Sequence, residues 1–202
     1  MYTRRGFTVV ELVVVMVIMA ILLAIGGLSI RSSQANARDA ERTSDIEILA
    51  RGLETRYTRG KINPDVTAAP AYVKPGTYPS INEMRHIIGQ SVAGFTPAQI
   101  TTGYGSIALP GTSTEAFSPP GLSNYSGFTV STCNDTADID KMTPTPSICL
   151  NTLTTKDTYV YEPIDADGAL CVNSSDGCVR FNLYYKKETG DTALQQLRSK
   201  HQ

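Results

Sequence analysis

One carboxylate, Glu11, interrupts an otherwise apolar run from Phe7 to Ile30, twenty-four residues with no other ionisable side chain. In apolar surroundings a carboxylate has one natural task, to hold a cation. Carrying it toward the middle of a bilayer costs about 3 kcal/mol or more, so it requires a partner. A second set is Cys133, Cys149, Cys171 and Cys178, with no CxxC pair and no histidine nearby. That pattern fits disulfides better than zinc and places the segment that carries them outside the cytoplasm. Of the three possible pairings, nearest neighbours are preferred, Cys133–Cys149 and Cys171–Cys178. A hairpin expected over 168–186 brings the second pair together.

A third set, Asp165-Ala166-Asp167-Gly168, has the composition of a calcium loop. As an EF-hand it fails, because the glycine comes two places early and the closing glutamate is missing. A solvated turn at Asp165 and Asp167 is favoured over calcium, and the similar stretch Asn134 to Asp140 reads the same way. The sequence holds two histidines, His86 and His201, and neither lies in a Ser/His/Asp or metal motif. There is no GxGxxG and no P-loop. The expectation is a protein that is not an enzyme and has no cofactor. Asn124, Asn134 and Asn173 each fit N-x-[ST], a triplet too common to carry weight.

The elements that must position these residues begin with a long helix. As a helix, the run from Phe7 to Ile30 extends roughly 36 Å, enough for a bilayer core of about 30 Å. It is too long for a secretory signal, and "SIRSSQANARDAER" after it continues as helix. No proline occurs between Ser29 and Arg59, and Ile46, Leu49, Ala50, Leu53 and Tyr57 form one apolar stripe at helical spacing. Glu47–Arg51 and Arg51–Glu54 are candidate ion pairs along it. One helix from about Phe7 to Arg59 is expected, ended by Gly60 and weakened at Gly26-Gly27, where each glycine costs about 1 kcal/mol.

Beyond Gly60, four prolines in "INPDVTAAPAYVKPGTYP" enforce loop. Ser80 and Glu83 form a capping box for a short helix over "INEMRHII", closed by Gly89, and Thr96-Pro97 starts another turn. Strands are expected at 158–164, 168–172 and 178–186, with Val179, Phe181, Leu183 and Tyr185 on one face. The fold class is α+β: a long N-terminal helix packed on a small antiparallel β-sheet.

"RRG" followed by "FTVVELVVVMVIMAILLAI" closely resembles the class III signal of type IV pilins and of type II secretion pseudopilins. The resemblance implies a pilin-like fold and cleavage between Gly6 and Phe7 by a prepilin peptidase. It also implies N-methylation of Phe7 by the same enzyme, and an assembly role for Glu11 against the N-terminal amine of a neighbouring subunit. Some pseudopilins bind calcium near their late strands, which is the ground for considering Asp165 and Asp167. One departure is the absence of a proline in the lower part of the helix, where Gly26-Gly27 is the alternative weak point.

The layout is then leader 1–6, membrane and filament-core helix 7–30, amphipathic continuation 31–60, and an extracytoplasmic domain 61–202. The expected partners are other copies of the chain in a helical filament, the peptidase/methyltransferase, a pilus assembly platform, and the membrane before assembly. The subunit would sit in the cytoplasmic membrane as a single-pass protein and then in an extracellular filament. Adhesion, motility or DNA uptake would follow for a pilus. Two alternatives are a pseudopilus subunit and an anchored binding domain that never polymerises. Without Arg4 and Arg5, sixteen basic side chains face nineteen acidic ones, a net charge of −3 that gives no general attraction for nucleic acid. Arg31, Arg38 and Arg42 form a possible stripe, for which pairing between subunits or with Asp39 and Glu41 is favoured.

Overall fold

The computed structural model describes residues 6–59, 76–88, 109, 111–123, 125–131, 133, 148–173, 177–190 and 192–201; of 25–29, 86, 148, 149 and 151 it describes the backbone alone. Helix α1 is Val9–Arg59, and its helical backbone runs through Gly26 and Gly27. The chain divides into two compact units between Arg38 and Asp39.

In the first unit the described element is α1 itself, and its apolar side chains from Val9 to Leu23 are exposed. The second unit begins with the rest of α1. It continues with α2 (Ile81–Ile87), a short 3-10 helix (Glu115–Phe117), β1 (Phe128–Val130), α3 (Ile148–Leu153), β2 (Tyr159–Ile164), β3 (Arg180–Lys186) and β4 (Leu194–Arg198).

The expected helix stripe is what builds the core. Ile46, Leu49, Ala50 and Leu53 are buried, and Tyr57 packs at their edge. They meet Phe128 and Val130 of β1, Tyr159 and Tyr161 of β2, and Phe181, Leu183 and Tyr185 of β3. Burying one Leu or Ile fully contributes about 1.5–3 kcal/mol, so this stripe alone is a large share of a domain's stability. The capping box of α2 also forms. Ser80 N donates to Glu83 Oε2 at 2.8 Å and Glu83 N donates to Ser80 Oγ at 3.3 Å.

The sheet is mixed, in the order β1-β2-β3-β4, and this corrects the expected antiparallel sheet. β1 runs parallel to β2, while β2–β3 and β3–β4 are antiparallel. Phe128-Thr129-Val130 is too short to show an alternation, and its pairing with Tyr159–Tyr161 is what makes it a strand. β4, "LQQLR", has helix-favouring residues and is a strand because β3 offers it a ladder. Pro163 is tolerated near the end of β2 because β1 stops opposite Tyr161.

The expected hairpin over 168–186 is also corrected. β2 pairs directly with β3, and the segment between them makes only an isolated bridge, Ile164 to Leu170, outside the named strands. That connection is closed by the Cys171–Cys178 disulfide, with a Cα–Cα distance of 5.6 Å. The carbonyls of Cys178 and Cys171 accept Tyr78 N at 2.8 Å and Ile81 N at 3.0 Å, so the bridged loop fixes the entry into α2. Gly127 precedes β1 at φ +85°, and a Cβ there would collide with the Asp157 carbonyl oxygen. A glycine is required at that point.

Both faces of the sheet are covered, not one. Behind it Val160 and Tyr184 pack with Cys133 and Leu150, and with Leu153 of α3. Glu162, 2% exposed, lies buried on β2. It accepts from Asn182 Nδ2 at 2.9 Å, Tyr184 OH at 2.8 Å and Ser131 Oγ at 3.4 Å, so its buried oxygens are satisfied by hydrogen bonds.

Asp45 of α1 gives the second unit a pH dependence. Burial pushes its carboxyl up to about 6; the hydrogen bond donated by Tyr159 OH opposes this, and the charges of Glu41 and Glu115 add to it. Because the folded value lies above the unfolded one, this stabilisation is full below about pH 3.9 and is lost as pH rises through about 6. Asp45→Asn keeps an acceptor for Tyr159 and removes the charge. It is expected to raise stability at pH 8 by about 1 kcal/mol after solvent screening, and to leave it unchanged at pH 3.5. Thermal melts of wild type and variant across that range check this.

Candidate functional site

Gly6 and Phe7 lie just ahead of α1, and both are exposed, Phe7 at 86%. Among the described residues nothing lies within 4 Å of a Cβ placed at Gly6. Thr8 then caps the helix. Its Oγ1 accepts from Glu11 N at 3.3 Å, while its backbone N and its Oγ1 both donate to Glu11 Oε2 at 2.8 Å. This is a reciprocal capping box, Thr8-x-x-Glu11, of the same kind as Ser80-x-x-Glu83. Sequence reasoning found the second box and missed the first, although the S/T-x-x-E pattern was present in both.

The geometry answers part of the question that Glu11 raises. Its carboxylate sits in the first turn, near the partial positive charge of the helix N-terminus, and satisfies an otherwise orphaned backbone N–H. Among the described residues the hydrogen bonds to the carboxylate end on Oε2. Beyond it, every large apolar side chain from Leu12 to Leu23 is at least half exposed. A helix that is apolar all round and uncovered is unlike the surface of a soluble monomer. Among the described residues no helix is long and apolar enough to cross a membrane.

The arginine stripe is corrected. Arg42 is 1% exposed and belongs to the second unit's interior. Its Nε donates to Lys156 O at 2.9 Å, and its guanidinium pairs with Asp39 Oδ1 at 2.9 Å and Glu188 Oε1 at 2.6 Å. Asp39 in turn accepts from Glu188 N, Thr189 N and Thr189 Oγ1. The expected pairing of Arg42 with Asp39 is made, but inside one subunit and with a distant glutamate added. Arg31 is exposed and Arg38 half-buried. Along α1, Glu47–Arg51 is an exposed 3.9 Å pair. Glu54 instead turns to Tyr78, Lys200 and His201.

Cys133 is disulfide-bonded, and Cys149, its expected partner, has a side chain outside the described residues. The side chain of His86, Thr96-Pro97, Asn124 and Asn134 to Asp140 also lie outside them. At the calcium-like turn, Asp165 Oδ1 accepts from Asp167 N at 3.0 Å and Ala169 N at 2.8 Å. Among the described residues no group of three or more His, Cys, Asp or Glu stands in a metal-holding arrangement.

Residues 1–27 match the family model for the prokaryotic N-terminal methylation motif, the class III signal of type IV pilins and pseudopilins. The match covers the leader, the proposed cut, the Thr8–Glu11 box and most of the apolar run. No curated protein and no solved structure matches the chain.

Proposed function

We propose that this chain is a prepilin-like structural subunit, with no enzymatic role, that polymerises through the apolar part of α1 into a type IV pilus. A prepilin peptidase hydrolyses the Gly6–Phe7 peptide bond and methylates the amine that this releases on Phe7. Before assembly the apolar run, which in sequence continues to Leu28, holds the subunit in the cytoplasmic membrane with the second unit outside.

The observation that carries this reading is the combination of the methylation motif at 1–27 with a helix whose apolar side chains are bare on every side. Hydrolysis places a cationic α-amine one helical turn from Glu11. Thr8 holds Oε2, so the carboxylate is fixed in direction before any partner arrives.

Gly6→Leu, expressed with its peptidase, is expected to remain uncut. Intact mass measurement of the membrane fraction checks this: the wild type should begin at methylated Phe7 and the variant should retain the leader. Wild-type filaments that keep Met1 would refute the proposal.

A further inference from the structure

The sheet ends differently at its two edges. At one edge β1 presents Phe128 and Val130, both buried. At the other, β4 carries Gln196 and Arg198 exposed, and among the described residues no strand lies beyond it. The ladder with β3 fixes which way the backbone groups of β4 face. Ser199 N donates to Phe181 O at 2.9 Å, so the backbone of Ser199 turns toward β3. Opposed residues of an antiparallel pair alternate between hydrogen-bonded and non-bonded pairs. Leu197 and Gln195 therefore turn their N–H and C=O groups to β3, opposite Leu183 and Tyr185. Leu194, Gln196 and Arg198 turn theirs away from it. Open edges are usually guarded by a proline, a bulge or several charges. β4, "LQQLR", has one charge, and its five residues pair with β3 in unbroken register.

We propose that the outer edge of β4 pairs with the same edge of a second copy of this chain, antiparallel and centred on Gln196. The register is self-matching. With Gln196 opposite Gln196, Leu194 falls opposite Arg198 of the second copy, so every outward-facing residue meets an outward-facing one. Like charges directly opposite would be destabilising, and this register has none. Lys186, opposite Leu194 on β3, lies two strands from Arg198 of the second copy, about 10 Å and close to a Debye length. The Gln196 side chain is already held, donating to Tyr184 OH at 3.3 Å and accepting from Arg198 Nη2 at 3.2 Å, so the strand is ordered before it pairs. Adding a strand to a sheet edge through main-chain bonds is a general mode of recognition. Five residues a side make a joint smaller than the about 1,200 Å² of a stable complex, so the pairing is reversible. Its two-fold symmetry joins subunits side by side and does not propagate as a helical repeat. It requires only the folded second unit and is independent of cleavage at Gly6.

The test uses the full chain in detergent micelles, with amide hydrogen exchange read residue by residue over a wide range of protein concentration. Exchange at Leu194, Gln196 and Arg198 is expected to fall to about half the dilute rate where half of the chains are paired, and to about a tenth where nine-tenths are paired. Gln195 and Leu197, bonded to β3 throughout, should not change, which separates edge pairing from association through α1. Gln196→Lys sets two cations opposite each other and should hold the three rates at their dilute values. Unchanged rates at Gln195 and Leu197 in that variant show that β4 still forms. Gln196→Pro removes one outward N–H, leaves the bonds to β3, and should act alike. Wild-type rates that do not depend on concentration overturn the proposal, as does either variant that slows as the wild type does.

Discussion

Glu11→Ala is expected to give a subunit that folds, is cleaved and is methylated, yet does not enter filaments. The second unit begins at Asp39, and its core cluster is built from residues 46 onward. What the substitution removes is the anion proposed to face a neighbour's Phe7 amine among apolar helices. Leaving one member of a buried pair without its partner costs about 3–5 kcal/mol, and for assembly that means a loss of two orders of magnitude or more. The Thr8–Glu11 box adds a smaller effect, since losing a cap costs about 1 kcal/mol. Glu11→Gln separates the two, because glutamine serves in a capping box but carries no charge. Filament yield from cells, set beside the melting temperature of the same proteins, is the measurement. Wild-type yield from Glu11→Gln would leave capping as the role of Glu11.

Arg42→Ala is expected to produce the largest loss of stability in the second unit. The guanidinium is fully enclosed and joins three places that are far apart in sequence: Asp39 one turn back, Lys156 before β2, and Glu188 after β3. Without it two carboxylates and a carbonyl keep their burial and lose their cation. A cost of about 3–5 kcal/mol follows, or roughly 10 °C in melting temperature for a unit of this size. The pH dependence identifies the cause. Burial pushes the Asp39 carboxyl up, but the Thr189 hydroxyl, the Glu188 and Thr189 backbone N–H groups and Arg42 together hold it below its ordinary value. Its stabilisation is present above about pH 3.9 and is lost as pH falls through the folded value, so the gap between wild type and variant should narrow at pH 3. Melts at pH 7 that coincide for the two proteins would contradict this account.

The parts of this protein that were legible in the sequence are those with a local period. The helix stripe at Ile46, Leu49, Ala50 and Leu53 could be read from spacing, and the Ser80–Glu83 box from a four-residue pattern. β2 was also readable, since β-branched and aromatic residues dominate it, and β3 from the alternation of Phe181, Leu183 and Tyr185. Elements defined by a distant partner were not. β1 has three residues and β4 has none of the usual strand formers; each exists because a neighbour supplies a ladder. The pairing of Arg42 with Asp39 could be read from the sequence, but nothing near it announces that Glu188 and Lys156 close over it. At the N-terminus, the resemblance to a class III signal led to the methylation motif at 1–27. The role of Thr8 needed the reciprocal geometry to be seen.

The parallel pairing of β1 with β2 has a consequence for the order in which the second unit takes shape. β2, β3 and β4 follow one another as an antiparallel meander, whose contacts close over short stretches of chain. The β1–β2 pairing must instead wait for the long crossover from Val130 to Tyr159. The apolar stripe of α1 waits longer still, because its partners Phe181 and Leu183 lie more than a hundred residues downstream. Pairings that close such long loops form late and slowly. On the export route proposed above, the sheet's cover over Ile46, Leu49 and Leu53 therefore completes only when β3 has emerged, after Tyr78, Ile81 and Met84 of the same cluster. On that proposed route the partly covered stripe is open to a chaperone or to another nascent copy, and the rate of export would set how long the exposure lasts.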